Sequence, residues 1–454
     1  MNTSFFGELL QTITDRGRSL LDRAGNRRGA GTRDDGIVEA CEELLSGRGE
    51  ASGVARARDI LSRYSELKTG PRVAFFEALA QHFGPDAGRL AGAVEAWQKN
   101  PSDDTVAELH GAAEPRRQEL FRRLNLAPGG TASLVAMREQ LMDAVGRRKD
   151  LSAVDDDFRH LFSSWFNRGF LVLQRIDWST PAIILEKIIH YEAVHRIRDW
   201  NDLRRRIDMP DRRCYAFFHP ALVDEPLIFV EVALTSEIPD AIAPILVDGR
   251  DPLPPEKATT AVFYSISNCQ RGLGGVSFGS FLIKQVVEEI CREFPRLSTF
   301  VTLSPVPNFA GWLKREINVE NSAVLTPEDQ AILANLDTPD WWQDPRLRDP
   351  VREPLLRAAG YYFMHARNAR GTPVDSVARF HLGNGARLER INWLGDTSER
   401  GLKQAHGLMV NYLYDLDDIE KNHEAYAENR TIVASNAVKR LSRAAPREVV
   451  PVTG

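Results

Sequence analysis

The spacing of apolar residues changes near residue 160, and this change constrains the fold more than any other feature. Before it, segments with helical spacing lie between turn residues such as Gly70-Pro71 and Pro128-Gly129-Gly130. After the acidic run Asp155-Asp156-Asp157, short runs of β-branched and aromatic residues begin. The chain of 454 residues also exceeds the roughly 250–300 residues at which a single core stops growing. The sequence therefore predicts an α+β protein, with an all-helical bundle at residues 1–160 and a mixed α/β domain at residues 161–454.

Composition and charge exclude several classes of protein. The net charge of −5 leaves no excess of basic residues to hold a nucleic acid. No run approaches the roughly 18 apolar residues that a membrane span needs. The four cysteines lie far apart without a C-x-x-C pair, which fits neither a disulfide framework nor a zinc site. We therefore expect a cytoplasmic protein with no nucleic-acid partner, no membrane contact and no metal.

Three runs in the second half are typical of strands: Tyr215–Phe218, Leu227–Leu234 and Ala261–Ile266. The third run leads through a glycine-rich turn into Phe281–Phe294, whose apolar residues recur at helical spacing, and then into a further run, Thr299–Leu303. This pattern predicts a β-loop-α-β unit.

Farther along the chain, Val377–Leu382 and Leu388–Trp393 flank Asn384-Gly385. Both turn residues tolerate positive φ, so the pattern predicts a β-hairpin. The stretch from Glu399 to Arg443 is predicted to be helical and mostly polar.

The glycine-rich turn lies between a predicted strand and a predicted helix. Bare backbone amides at a helix N-terminus suit a pyrophosphate, although a tight strand-helix connection explains the same glycines equally well. The Arg-Gly-x-Gly order resembles the acyl-CoA loop of the GNAT-type acetyltransferase fold rather than a Rossmann fingerprint, with Val276 where that motif ends in a small residue. The ligand implied is coenzyme A. The candidate CoA-binding residues are Arg271, Gly272, Leu273, Gly274, Gly275, Val276, Ser277, Phe278 and Gly279.

Short motifs around this turn follow one another in a characteristic order. They include Phe263–Ser267, Phe281–Lys284, Leu303–Pro307, Phe380–Ala386, Ile391–Trp393 and Met409–Tyr412. The order resembles the malonyl-CoA decarboxylase family across about residues 163–435. In residues 1–160 the resemblance is only architectural, because the family places a helical bundle before its acetyltransferase-like (GNAT) catalytic domain. That bundle would be an oligomerisation domain, and the family resemblance implies a homo-oligomer, a dimer or a tetramer.

The resemblance implies a reaction that converts malonyl-CoA to acetyl-CoA and carbon dioxide. It implies no metal, biotin or other cofactor, since coenzyme A is part of the substrate. The family pairs a serine in a Leu-Ser-Pro motif with a histidine, which here are Ser304 and His381. Ser304 would orient the malonyl group, and His381 would polarise it and deliver the proton. Taken singly, a turn serine beside proline and a strand-end histidine are ordinary structural residues.

Two further catalytic candidates rest on motif position. Tyr414 resembles a family tyrosine near the acyl site, and Ser265 resembles a serine on the strand before the CoA loop. Otherwise Tyr414 would be an aromatic anchor of a C-terminal helix, and Ser265 would only point between strands. Ser277 departs from the animal members of the family, which carry a glutamate there. Either that acid is dispensable to the chemistry or another group supplies it.

Other readings stay open at the level of sequence. An N-acyltransferase that uses acyl-CoA would share the loop, and so would a CoA-binding sensor without catalytic activity. The arginines Arg204–Arg206 and Arg212-Arg213 would either meet the CoA 3′-phosphate or form a solvated helix face.

Overall fold

The computed structural model describes residues 36–47, 49–276 and 282–443. Within them the chain forms two compact units. The first contains the described residues of Met1–Val172, Phe218–Glu225 and Gln270–Phe278, and the second contains those of Leu173–Phe217, Pro226–Cys269 and Gly279–Gly454. A helical region is followed by a mixed sheet, which confirms the predicted α+β fold class. The oligomerisation role of the helical region stays a prediction.

The first unit is built from helices. They are α1 (Gly36–Ser46), α2 (Glu50–Glu66), α3 (Thr69–His82), α4 (Ala87–Lys99), α5 (Asp103–Ala113), α6 (Arg116–Asn125), α7 (Gly130–Val145) and α8 (Ser152–Trp165). Polar caps start several of them, as where Asp86 accepts a hydrogen bond from the Arg89 amide. In the core, the rings of Phe121 and Phe158 stack with their centroids 4.0 Å apart.

The second unit is built around a mixed sheet. The described strands are β1 (Val172–Ile176), β2 (Arg212–Phe218), β3 (Pro226–Thr235), β4 (Thr260–Asn268), β5 (Thr299–Thr302), β6 (Ser304–Pro305), β7 (Arg387–Asn392) and β8 (Met409–Leu413). They lie in the order β1-β2-β3-β4-β5-β8-β6, with β7 also paired to β8. The strands predicted at 215–218, 227–234 and 261–266 are confirmed as parts of β2, β3 and β4.

Helices connect these strands. They are α9 (Ala182–Tyr191), α10 (Trp200–Ile207), α11 (Ala243–Leu246), α12 (Leu282–Glu293), α13 (Phe309–Ile317), α14 (Pro327–Leu333), α15 (Pro345–Met364), α16 (Ser376–Gly383), α17 (Glu399–Ala405), α18 (Ile419–Asn429) and α19 (Asn436–Arg443). The predicted β-loop-α-β unit is confirmed, because β4 and β5 are parallel and α12 lies between them in the chain. The stripe Val286, Val287 and Ile290 of α12 is fully buried.

The hairpin predicted around Asn384-Gly385 is wrong. Residues 377–382 lie in helix α16, whose start is capped by the side chain of Asp375. At its end, Gly385 has φ 84° and its amide bonds the Leu382 carbonyl at 3.0 Å. The Ala386 amide bonds the His381 carbonyl at 3.0 Å, which completes a Schellman cap. Positive φ at Gly385 therefore ends a helix, whereas the sequence pattern was also compatible with a β-turn.

The prediction of continuous helix from Glu399 to Arg443 is also wrong, because β8 lies within it. This strand pairs with β5, β6 and β7. Met409, Val410 and Asn411 are fully buried. A strand covered on both faces lacks the alternation of polar and apolar residues that distinguishes an exposed strand in sequence.

Strand β4 changes partner midway. Its pairing with β3 shifts register between Glu231 and Val232, which face Ser265 and Phe263, so Tyr264 is the extra residue of a bulge. Its pairing with β5 runs from Thr260 to Phe263. Beyond that point the described sheet pairs β4 with β3 alone, while β6 pairs with β8. The sheet therefore opens between the end of β4 and β6.

Candidate active site

Ser304 and His381 are in direct contact. Ser304 begins β6 beside the opening of the sheet, and its Oγ lies 3.1 Å from Nε2 of His381 on α16. The other ring nitrogen, Nδ1, lies 2.8 Å from the hydroxyl of Tyr414, which follows β8. All three side chains are buried. Three of the four residues predicted to be catalytic thus form one hydrogen-bonded row. Tyr414 does not lie in a C-terminal helix, so the alternative that it anchors such a helix is wrong.

Helix α16 and strand β8 hold the imidazole of His381. The Asp375 carboxylate accepts a hydrogen bond of 2.8 Å from the Ala378 amide and so fixes the start of the helix. The ring of Tyr412 stacks on the imidazole, with centroids 4.6 Å apart and planes 24° from parallel. Packing on one face and hydrogen bonds at both nitrogens leave the ring one orientation.

The row carries no charge at neutral pH. Burial lowers the pKa of His381 from 6.5 to about 3, because a protonated imidazole would lose its hydration without a carboxylate to replace it. Burial also holds the pKa of the Tyr414 phenol well above its usual range. The row can therefore exchange protons between neutral donors and acceptors, but it presents no permanent ion to a substrate.

Thr302 extends the row by one hydroxyl. Ser304 Oγ donates to Thr302 Oγ1 over 2.8 Å, and the Tyr412 amide donates to the same oxygen over 3.1 Å. Thr302 is fully buried at the end of β5. Sequence reasoning missed this residue, although the alternation of side chains along a strand places residues two apart on one face.

Ser265 lies apart from this row. Its Oγ is 2.8 Å from both carboxylate oxygens of Glu192, and Glu192 also accepts from the Val194 and His195 amides. Ser265 pairs in register with Glu231, whereas Phe263, before the bulge, pairs with Thr302. The bulge therefore turns Ser265 away from the face that carries Thr302. A catalytic role for Ser265 stays a prediction, and Glu192 was not among the residues predicted for the site.

The first part of the candidate CoA loop is described, and Ser277, Phe278 and Gly279 lie outside the described residues. An added Cβ on Gly272 would lie 2.0 Å from the Val135 carbonyl oxygen of α7. Arg138 of α7, also buried, donates to the Gly272 carbonyl over 2.8 Å and pairs with Asp155 at 2.8 Å. Close packing therefore requires glycine at position 272.

The remaining loop residues differ in how open they are. Arg271 forms ion pairs with Asp143 and Glu139. Leu273 and Val276 are buried, and the backbone of Gly274 and Gly275 is exposed. The Gly274 amide donates to the Arg271 carbonyl over 2.9 Å, and the binding of CoA phosphates at this loop stays a prediction.

Most of the candidate phosphate arginines have partners inside the fold. Arg206 is buried and bonds Glu231 at 3.1 Å. Arg212 is buried and donates to the Ile245 carbonyl at 2.8 Å, and Arg213 contacts Glu293 at 2.5 Å. Arg204 fits the prediction of a solvated helix face, because it is exposed and its guanidinium lies over the ring of Trp178.

The described residues contain no group of three histidine, cysteine or acidic side chains able to hold a metal ion. No helix among them is long and apolar enough to cross a membrane. None of the described cysteines, Cys41, Cys214, Cys269 and Cys291, forms a disulfide.

Comparison with known proteins identifies the family. The sequence matches the malonyl-CoA decarboxylase C-terminal domain over residues 169–451 and the N-terminal domain over residues 83–166. It is 36% identical over 419 residues to the mitochondrial malonyl-CoA decarboxylase of Anser anser anser, which covers 84% of this chain and 82% of that protein. The crystal structure of malonyl-CoA decarboxylase from Rhodopseudomonas palustris is 59% identical, with a TM-score of 0.88 over 90% of this chain and 99% of that one. The structure from Agrobacterium vitis is 58% identical, with a TM-score of 0.85 over 89% and 99%. The chain therefore belongs to the malonyl-CoA decarboxylase family, as the ordered motifs predict.

Proposed function

We propose that this chain is a carboxy-lyase that converts malonyl-CoA to acetyl-CoA and carbon dioxide at the row Ser304, His381 and Tyr414. The observation that carries the proposal is the buried contact between Ser304 and His381 in a chain of this family. The row lies beside the place where β4 and β6 separate.

The chemistry asks for neutral hydrogen-bond donors in a site that excludes water. When the malonyl carboxylate leaves as carbon dioxide, its electron pair moves into the thioester and forms an enolate. Donors aimed at the developing oxyanion stabilise it, and they act more strongly at low dielectric. Ser304 orients the malonyl group, and the uncharged surroundings favour loss of a charged carboxylate as a neutral gas.

The enolate then takes a proton at C2, and the overall reaction consumes one proton from solvent. His381 delivers the proton from Nε2 while Tyr414 passes its own to Nδ1, so that no imidazolate forms. The negative charge of the enolate ends on Tyr414 and disappears when solvent reprotonates the phenol. Atoms and charge balance without a metal or prosthetic group, and we propose that none is required.

Dialysis against EDTA should leave kcat unchanged, because the proposed reaction requires no metal.

The opening of the sheet is a candidate binding site for the pantetheine part of the substrate. The edge of Ser265–Asn268 that faces away from β3 has backbone groups available to an extended ligand with amides of its own, such as pantetheine. We propose separately that the glycine loop, in which Gly274 and Gly275 are exposed, holds the CoA phosphates.

We also propose a homo-oligomer, a dimer or tetramer, in the cytoplasm. The family resemblance supports the assembly, and four cysteines that form no disulfide fit a reducing compartment. Sedimentation of the purified protein tests the assembly.

One assay distinguishes the proposed function from its rivals. The purified protein is incubated with malonyl-CoA alone, and acetyl-CoA is followed by chromatography. We expect stoichiometric acetyl-CoA, because decarboxylation needs no acceptor. An N-acyltransferase would instead consume acetyl-CoA only when an amine is added, and a sensor would bind CoA without turnover. Acetyl-CoA formation at the background rate alone would rule out the proposal.

Replacement of Tyr414 by phenylalanine should lower kcat about 10- to 100-fold and leave KM within about twofold. The ring is retained, so packing on Phe263 survives, but Nδ1 of His381 loses its proton donor. Steady-state kinetics measures both constants. A kcat equal to that of the wild type would remove Tyr414 from proton delivery.

The pH dependence of kcat should show no step near 6.5, the ordinary pKa of histidine. Burial lowers the pKa of His381 to about 3, so the ring stays neutral across the assay range. Because folding lowers this pKa, protonation favours the unfolded chain, and stability declines as the pH falls below about 6.5 toward 3. The profile is therefore measured from pH 8 to 5 with Tm recorded at each point. A drop in kcat near pH 6.5 without a drop in folded fraction contradicts the prediction.

A further inference from the structure

We propose that Thr302 is a positioning residue that fixes which nitrogen of His381 carries the proton. The inference rests on the proposed function and deepens it. Thr302 bonds Ser304, which in turn bonds His381, so Thr302 acts on the substrate indirectly.

The hydrogen bonds along the row determine where each proton lies. A serine hydroxyl has one proton to donate, and Ser304 Oγ donates it to Thr302 Oγ1 over 2.8 Å. Ser304 therefore meets His381 as an acceptor, and the hydrogen bond of 3.1 Å between them requires a proton on Nε2. In a neutral imidazole the other nitrogen is then bare, so Nδ1 accepts the Tyr414 hydroxyl proton over 2.8 Å.

The strand framework holds Thr302 as the fixed end of the row. The Tyr412 amide donates to its hydroxyl oxygen over 3.1 Å, and the Asn411 side chain donates to its carbonyl over 2.8 Å. The next amide, of Leu303, bonds the Phe263 carbonyl at 3.0 Å. The Thr302 oxygen is thus an acceptor whose position the sheet sets.

Two chemical consequences follow. The proton that C2 needs is held on Nε2, the nitrogen beside Ser304, and the opposite tautomer would place it on Nδ1, beside Tyr414. The proton of Ser304 points away from His381, so the imidazole does not act as a base that activates this serine. Ser304 then forms no acyl-serine intermediate. It orients the malonyl group by turning its proton from Thr302 to a substrate oxygen when the substrate binds, while it still accepts from Nε2.

Substitution of Thr302 tests this assignment. Thr302→Val keeps the branched shape and removes the acceptor, so the Ser304 proton turns to Nε2 and the proton of the ring moves to Nδ1. We expect kcat to fall about fivefold to tenfold, the factor that one hydrogen bond is worth, with KM within about twofold. Thr302→Ser restores the oxygen and should recover kcat to within about twofold of wild type. A merely structural role would lower Tm and folded fraction in Thr302→Val without this rescue pattern.

Nitrogen NMR of histidine-labelled protein reads the tautomer directly. The chain has 10 histidines, and the His381 pair of signals is identified by its loss in His381→Asn. Wild type should show a protonated Nε2 and a bare Nδ1, and Thr302→Val should reverse or mix them. A protonated Nδ1 in the wild type overturns the inference, even if no variant folds. So does a Thr302→Val protein with wild-type kcat and signals. If the wild type fails to decarboxylate malonyl-CoA, the proposed function falls, while the spectra still decide whether Thr302 sets the tautomer.

Discussion

His381→Asn should lower kcat for malonyl-CoA by about three orders of magnitude and leave the Kd for CoA within about twofold. A positioned acid or base contributes roughly 10²- to 10⁴-fold to a rate, and His381 is the only ring in the described row with a nitrogen facing both Ser304 and Tyr414. Asparagine is shorter and cannot carry a proton from one end of the row to the other. Stopped assays give kcat, and titration calorimetry with CoA gives Kd.

His406→Asn is the matched control. His406 is also a mostly buried histidine whose burial lowers its pKa to about 4, and it lies in the left-handed region at φ 50°, where asparagine is well tolerated. This variant should keep activity. Loss of most activity in His406→Asn, or its retention in His381→Asn, would remove His381 from the mechanism.

Gly385→Ala should destabilise the protein by about 3 kcal/mol or more. Gly385 ends helix α16 at φ 84°, and an added Cβ would lie 2.1 Å from the Ile419 carbonyl oxygen at the start of α18. A backbone atom cannot swing aside as the end of a side chain can, so the helix that carries His381 or the start of α18 must shift. Urea denaturation measures the free energy of unfolding.

Gly311→Ala is the control for this change. Gly311 lies inside α13, and an added Cβ there has nothing within 4 Å. Since alanine favours a helix interior over glycine by up to about 1 kcal/mol, this variant should be neutral or more stable. Equal unfolding free energies for Gly385→Ala and wild type would show that the chain relaxes around the cap.

The parts of the fold that the sequence predicts well are those with an unambiguous period and clear turn residues at their ends. Strands β2 to β4 and the unit from β4 through α12 to β5 belong here. The errors fall where one local pattern serves two structures. Asn384-Gly385 supports a β-turn or a Schellman cap, and the sequence beside it, with Val377 and Phe380, is compatible with either. Strand β8 is covered on both faces and loses the alternation that would reveal it.

The candidate site likewise contains residues that the sequence predicts and residues that it does not. Ser304, His381 and Tyr414 were found through motif order, because each is an ordinary residue when taken singly. Their contacts join positions 77 and 33 residues apart, which only strand register and helix packing decide. The role of Thr302 and the contact of Ser265 with Glu192 could not be predicted for the same reason. The sequence does not show which partner a hydroxyl group in a strand will contact.

The packing of Gly272 against Val135 bears on how this family can change over time. A larger side chain at position 272 has no room unless the backbone of α7 retreats, and Arg138 must give up its bond to the loop at the same moment. Mutations in the loop and in that helix are therefore expected to be tolerated together and rejected separately. Because the loop and α7 belong to the same compact unit, a transplant of one without the other would carry a loop shaped for a surface that is no longer there.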